Sequence, residues 1–295
     1  ITIVNSTIGD DKEPTTNVGE NVAMVGANVY PTLKKAIDAA NKGDTVRLLN
    51  DVTLSASGIE GENGAQALTI DKDLTIDGQG KYTIKGKDFA SNVRLITVTK
   101  GADVTFNEVT LDGGNIEPDT QGARHGLNLW NAGKVMLNNV TIKNCDWYAV
   151  ANNGSELIVN GLTTNGNAWG INIDNDGTAV INDANISEDS SIVYENGEGN
   201  GSLTVNGGTY QNLVVQAENE EDVCGGTIEL KDGSFKGVTT SGEGETNDTE
   251  IVSISGGNYK TDVSKYVDSG LTWDPSTGEV AKPVEPDDDD DRPSQ

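Results

Sequence analysis

Residues 135–144 read "VMLNNVTIKN", with Val135 and Leu137 on one side of Asn138 and Val140 and Ile142 on the other. Apolar and polar residues alternate on both sides of the asparagine, so two short strands meet at a polar corner. Variants of the unit recur: "VRLLNDVTL" from Val46, "LTIDKDLTI" from Leu68, "VTFNEVTLDGG" from Val104, "LIVNGLTTNG" from Leu157, "AVINDANISE" from Ala179, "LTVNGGTYQN" from Leu203, "IELKDGSFKG" from Ile228 and "VSISGGNYKT" from Val252. A single unit has nothing to bury its apolar side against. Stacked copies do, each strand pairing with its equivalent about 4.8 Å away.

The nine units start 22 to 36 residues apart, a period that marks a solenoid. A leucine-rich repeat would need a leucine consensus and a helical return segment, and neither is visible. The expected fold is all-β: a single-stranded, right-handed parallel β-helix of about nine turns, with an N-terminal capping helix and a C-terminal cap. The corner residues Asn50, Asp71, Asn107, Asn138, Asn160, Asn182 and Asn206 are expected to stack in a ladder of side-chain amides.

An open solenoid exposes core and strand edges at both ends, so each needs a cover. Residues 1–45 are read as N-terminal strands and a capping helix, in which Leu33, Ala36, Ile37 and Ala40 share a face, Thr32 is the N-cap and Gly43 the stop. The β-helix spans 46–260. Residues 261–282 form the C-terminal cap, closed by Tyr266, Leu271 and Trp273, and 283–295 an acidic tail.

Between successive units lies a third strand, visible in "GLNLWN", "YAVANN" and "GINIDN". Counting back a constant number of residues from Val135, Leu157 and Ala179 sends Leu127, Leu129, Ala149, Ala151, Ile171 and Ile173 inward. Strand alternation then sends Asn128, Trp130, Val150, Asn152, Asn172 and Asp174 outward onto one sheet face. Trp147, Tyr148 and Trp169 stand at the starts of these strands, as does His125, the only histidine. Flat rings beside amides and a carboxylate suit a sugar, whose C–H faces stack on indole while its hydroxyls bond to the polar groups. The predicted binding set is Asn128, Trp130, Trp147, Tyr148, Asn152, Trp169, Asn172 and Asp174. The longer connections, 77–103 and 112–125, are expected to be loops flanking this groove.

A net charge of −27 excludes nucleic-acid partners and favours neutral ligands such as glycans, or Ca²⁺. Asp174, Asp176 and Asp112 are the weak Ca²⁺ candidates; no other cofactor is expected. Cys145 and Cys224 are predicted to be free thiols, separated by several coils. No run of 18 apolar residues offers a membrane span, and a monomer within a larger surface protein is expected.

The opening "VAMVGANVYPTLKKAIDAANKGDTVRLLNDVTL", the turn "GNAWGINID" and the close "SGGNYKTDVSKYVDSGL" resemble bacterial cell-surface, adhesin-like proteins of the pectate-lyase-like β-helix superfamily. The resemblance covers roughly residues 22–273 and implies a secreted or surface-attached setting. Polysaccharide lyases and polygalacturonases of that superfamily carry their active sites on the third strand's outer face. Here the catalytic candidates reduce to Asp174, Glu195 and His125, and the "RHG" at 124–126 lacks the paired aspartates that accompany "GHG" in polygalacturonases. The expected function is a non-catalytic surface module, an adhesin or stalk with a carbohydrate-binding groove. The alternative is a polysaccharide hydrolase or lyase using the same groove.

Overall fold

A computed structural model of the chain describes residues 21–55, 65–116, 120–196 and 199–283. The first twenty residues and the acidic run at 285–291 lie outside these. The described chain is a parallel β-solenoid in which a full coil supplies a first, a second and a third strand. The third strands form an eight-stranded parallel sheet from Gln66–Ile70 to Gly237–Gly242. First and second strands share one sheet because Glu156–Asn165 and Thr178–Ile186 run through the corner without a break.

The interior is a single apolar column, with Ile76, Phe106, Leu137, Val159, Ile181, Val205, Leu230 and Ile254 fully buried along the first-strand row. Each is the residue before or after a polar one that faces out, as period-2 alternation requires.

The second coil begins at Leu74, not Leu68. Leu74 pairs with Val104 and Asp77 with Asn107, whereas Leu68 pairs with Ile96 in the third-strand sheet. The two "LTI" triplets are alike in sequence, and only pairing tells which belongs to which row. With this register the first-strand step is 30 residues from Val46 to its partner Ile76, and again 30 from Leu74 to Val104. Residues 77–103, expected to be a loop, therefore contain the strands Thr83–Lys87 and Arg94–Thr99.

The same register shortens the ladder. Amide to amide hydrogen bonds link Asn107, Asn138, Asn160, Asn182 and Asn206, at 2.7 to 2.9 Å. Asn50 instead donates to the carbonyl of Asn21, and Asp71 forms an ion pair with Lys100. Asp77 occupies the ladder position of its coil and binds the Arg47 guanidinium at 3.1 Å. Asn160 sits mid-ladder and is exposed, so Asn160→Ala is expected to cost about 1 kcal/mol, read as a lower midpoint in urea unfolding.

At the N-terminal end Ala23–Val25 pairs antiparallel with both Asn28–Tyr30 and the first-coil strand Thr45–Leu48, covering that edge. The helix Leu33–Ala39 lays Leu33, Ala36 and Ile37 on the core, and the Thr32 hydroxyl accepts from the Lys35 amide at 3.1 Å. The helix ends with Ala40 turning extended, ahead of Gly43. Gly43 serves a later turn at φ +87° instead. At the other end Tyr266 is buried and Leu271 and Trp273 pack on the core, with the Trp273 indole donating to the carbonyl of Tyr259 at 3.1 Å. Cys145 and Cys224 are both buried and unpaired.

Candidate functional site

The groove lies on the outer face of the third-strand sheet, and its register corrects the expected facing of one strand. Leu127 pairs with Val150, and Val150 with Ile171; Leu129 pairs with Asn152, and Asn152 with Ile173. Val150 and Asn152 therefore point into the solenoid, and Ala151 and Asn153 point out. The cause is a connector one residue shorter. Trp130 precedes Lys134 by four positions, but its partner Asn153 precedes Glu156, the partner of Lys134, by three. Counting back a constant number thus slips that strand by one residue and inverts it.

Asn152 accordingly leaves the binding set. It is fully buried; its amide donates to the carbonyls of Ser155 and Thr178 at 3.1 and 3.0 Å and accepts from the Ser155 amide at 3.1 Å. Asn153 takes its place outside, between Trp130 and Asp174.

Three outward rows result. The first runs through His125, Tyr148 and Trp169, whose rings follow one another at 5.7 and 5.3 Å between centroids. Small residues follow each ring because neighbouring chain packs close there: a Cβ on Gly170 would lie 2.1 Å from the carbonyl oxygen of Ser191. Gly126 in "RHG" is held to glycine in the same way, 2.5 Å from Ile142. Trp147 lies edge-on to Trp169 at 5.5 Å and carries the Arg124 guanidinium over its ring at 3.8 Å. The second row holds Thr97, Asn128, Ala151 and Asn172, and the third Thr99, Trp130, Asn153 and Asp174.

Glu195 continues the third row, its amide bonded to the carbonyl of Ile173, and Gln216 follows, donating to the Glu195 carboxylate at 3.0 Å. With Glu218, Glu221 and Asp222 these residues line an acidic cleft of about 390 Å³. Burial pushes the Glu195 carboxyl up to about 7; the Asn172 amide alongside pulls it down, and repulsion from Asp174, Glu218 and Asp222 raises it further. Asp174 is raised as well, first by burial and then by Asp222 and Glu218. Asp174 and Glu195 are thus neighbours on adjacent strands, about 5 Å apart between the two backbones, and both carboxyls are raised.

At the N-terminal end of the face a second cleft, of about 580 Å³, is lined by Gln66, Thr69, Arg94, Thr97, Asn128 and Trp130. Trp130 is 52% exposed and Trp147 41%, whereas Asn128 and Asn172 are almost covered. His125 is buried, and burial followed by the charges of Arg124 and Arg94 pushes its imidazole down to about 3. The shift favours the neutral imidazole.

The structure gathers His125, Tyr148, Trp147 and Trp169 in the centre, and Asp174 with Glu195 to one side. Asp176 is turned away toward the Asn200 amide, which it accepts at 2.9 Å, and Asp112 binds Gly114 and Asn144. Among the described residues no group of three or more His, Cys, Asp or Glu converges to hold a metal ion. Arg94, Gln216, Glu218 and Asp222 were not legible as groove residues. Gln216 follows Glu195 by 21 positions and could have been found by continuing the period.

No known protein family, no curated protein and no solved structure matches the chain. Fold and site together define a parallel β-solenoid protein with an aromatic and acidic groove across its third-strand sheet. Among the described residues no helix is long and apolar enough to cross a membrane.

Proposed function

We propose that the third-strand face is a carbohydrate-binding groove in a non-catalytic module of the adhesin or stalk type, displayed outside a bacterial cell. The observation that carries this reading is Trp130. Its ring is half exposed over a roomy cleft beside Thr97 and Asn128, and among the described residues no other ring or cation stacks on it. A large indole kept open beside hydroxyl and amide groups offers a sugar ring both its apolar face and its hydrogen bonds. The acidic surface and the "VAMVGANVYPTL" and "SGGNYKTDVSKYV" ends support the extracellular setting.

Trp130→Ala is expected to weaken binding of neutral oligosaccharides about tenfold, the effect of losing one stacked ring. A panel of oligosaccharides titrated by calorimetry against both chains measures it. Equal affinity in the two chains would sink the assignment.

A second reading draws on the Glu195 carboxyl, poised at about 7 beside Asp174. A protonated carboxyl next to an ionised one is the acid and partner that glycoside hydrolysis uses. Release of reducing ends, lost in both Asp174→Asn and Glu195→Gln, would favour this enzyme over the binding module.

A further inference from the structure

We infer that the N-terminal end of the groove is an anion subsite, in which Arg94 and Arg124 hold a carboxylate or sulfate group carried on the bound glycan. This rests on the glycan reading of the groove and names the class of sugar it selects.

Among the described lysine and arginine side chains, only Arg94 and Arg124 bury a nitrogen that has no hydrogen-bond partner. Nine cationic side chains have a carboxylate within ion-pair distance, and neither Arg94 nor Arg124 is among them. Carboxylates outnumber cations more than two to one in the chain, yet neither of these guanidiniums has one as a partner among the described residues. Of the two, Arg94 lines the cleft beside Trp130. Both converge on Asn92: the Arg124 Nη1 donates to its side-chain oxygen at 2.6 Å and the Arg94 Nη1 to its carbonyl at 3.3 Å.

Both guanidiniums are partly buried, and burial lowers both; the charge of Arg124 lowers Arg94 further, while Tyr148 acts to raise Arg124. The Nε atoms of both, and Nδ1 of the neighbouring His125, are buried without a hydrogen-bond partner among the described residues. His125 is more than nine-tenths buried; it follows Arg124 in the chain and lies between the strand of Arg94 and that of Tyr148. Desolvated donors without an acceptor cost free energy, and an incoming oxyanion relieves that cost for both arginines together. A planar guanidinium matches the two oxygens of a carboxylate or sulfate.

Geometry supplies the sugar as well as the anion. Arg94 lines the same cleft as Trp130, while Arg124 lies over the Trp147 ring at 3.8 Å. A ring stacked on Trp130 therefore places its substituents toward Arg94. The acidic cleft at the opposite end, with Asp174, Glu195 and Asp222, repels an anion, so the charged residue of the ligand is directed to the N-terminal end.

The test compares neutral, uronate-containing and sulfated oligosaccharides of equal length on the full chain, on Arg94→Gln/Arg124→Gln and on Trp130→Ala. The expected result is at least tenfold tighter binding of one acidic class over the neutral one at low salt. That preference weakens with added salt and falls to near unity in the double arginine variant. The class that binds tightest identifies carboxylate or sulfate as the source. Equal binding of acidic and neutral sugars, or a preference that survives in the double variant, overturns the anion subsite and leaves the glycan groove standing. If no oligosaccharide binds, titration with inorganic sulfate and with a monomeric uronate, followed by tryptophan fluorescence, decides. A saturable change lost in the double variant retains the subsite while the glycan reading falls, and no change removes both.

Discussion

Asn152→Ala is expected to destabilise the protein by about 3 kcal/mol, whereas Asn153→Ala, one residue on, changes stability by less than about 0.5 kcal/mol. Asn152 is fully buried, and its side chain satisfies the Ser155 amide and the carbonyls of Ser155 and Thr178. Truncation leaves three buried backbone groups without their side-chain partner. Leucine, the residue at the paired position in the preceding coil, would fill the volume and still leave those groups unbonded. Asn153 only accepts from the exposed Asn175. Urea unfolding of the two variants measures the contrast. The reverse order would mean that the strand Tyr148–Asn153 is seated one residue out of register.

The second large effect is a pH dependence set by Glu195. Its carboxyl is raised from an ordinary 4.5 to about 7, first by burial, with Asp174, Glu218 and Asp222 adding to it. Between those two values the folded chain keeps a proton that the unfolded chain has released. The contribution of Glu195 is therefore fully present below about pH 4.5 and is lost as pH rises through about 7. The loss amounts to at most about 3 kcal/mol. Glu195→Gln stays neutral throughout, so it is expected to remove this slope and to raise the melting temperature at pH 8 by roughly 5–10 °C. Melting curves of both chains from pH 4 to 8 test it. A wild-type stability that rises from pH 5 to 8, or a variant that melts below wild type at pH 8, would show that the acidic cleft is better neutralised than its geometry indicates.

The amide variant also separates the two functional readings. A binding groove tolerates Glu195→Gln, because an amide still bonds to sugar hydroxyls. An acid catalyst does not, since the transferable proton is gone.

How far the groove could be read in advance follows from its parts. Trp130, Trp147 and Trp169 were visible because indoles are rare in this chain and fall near one strand class. Asp174 and Glu195 were legible as residues of successive coils, 21 positions apart. Arg94 was hidden because the second coil was counted from the wrong "LTI" triplet, which left its strand inside a presumed loop. Glu218 and Asp222 belong to a connection after the seventh third strand, where no periodicity applies.

The alternation of "VMLNNVTIKN" and its variants determined the solenoid by itself, because a half-apolar unit repeated at a near-constant period has no other way to bury every copy. The ladder from Asn107 to Asn206 and the helical cap at Leu33 came with it. Facing and charge pairing were decided only by tertiary structure. A strand inverts when its connector changes by one residue, as at Asn152, and a bare periodicity does not record connector length. Whether an arginine is neutralised depends on carboxylates from distant coils, and the absence of one beside Arg94 and Arg124 among the described residues is a property of three-dimensional packing alone.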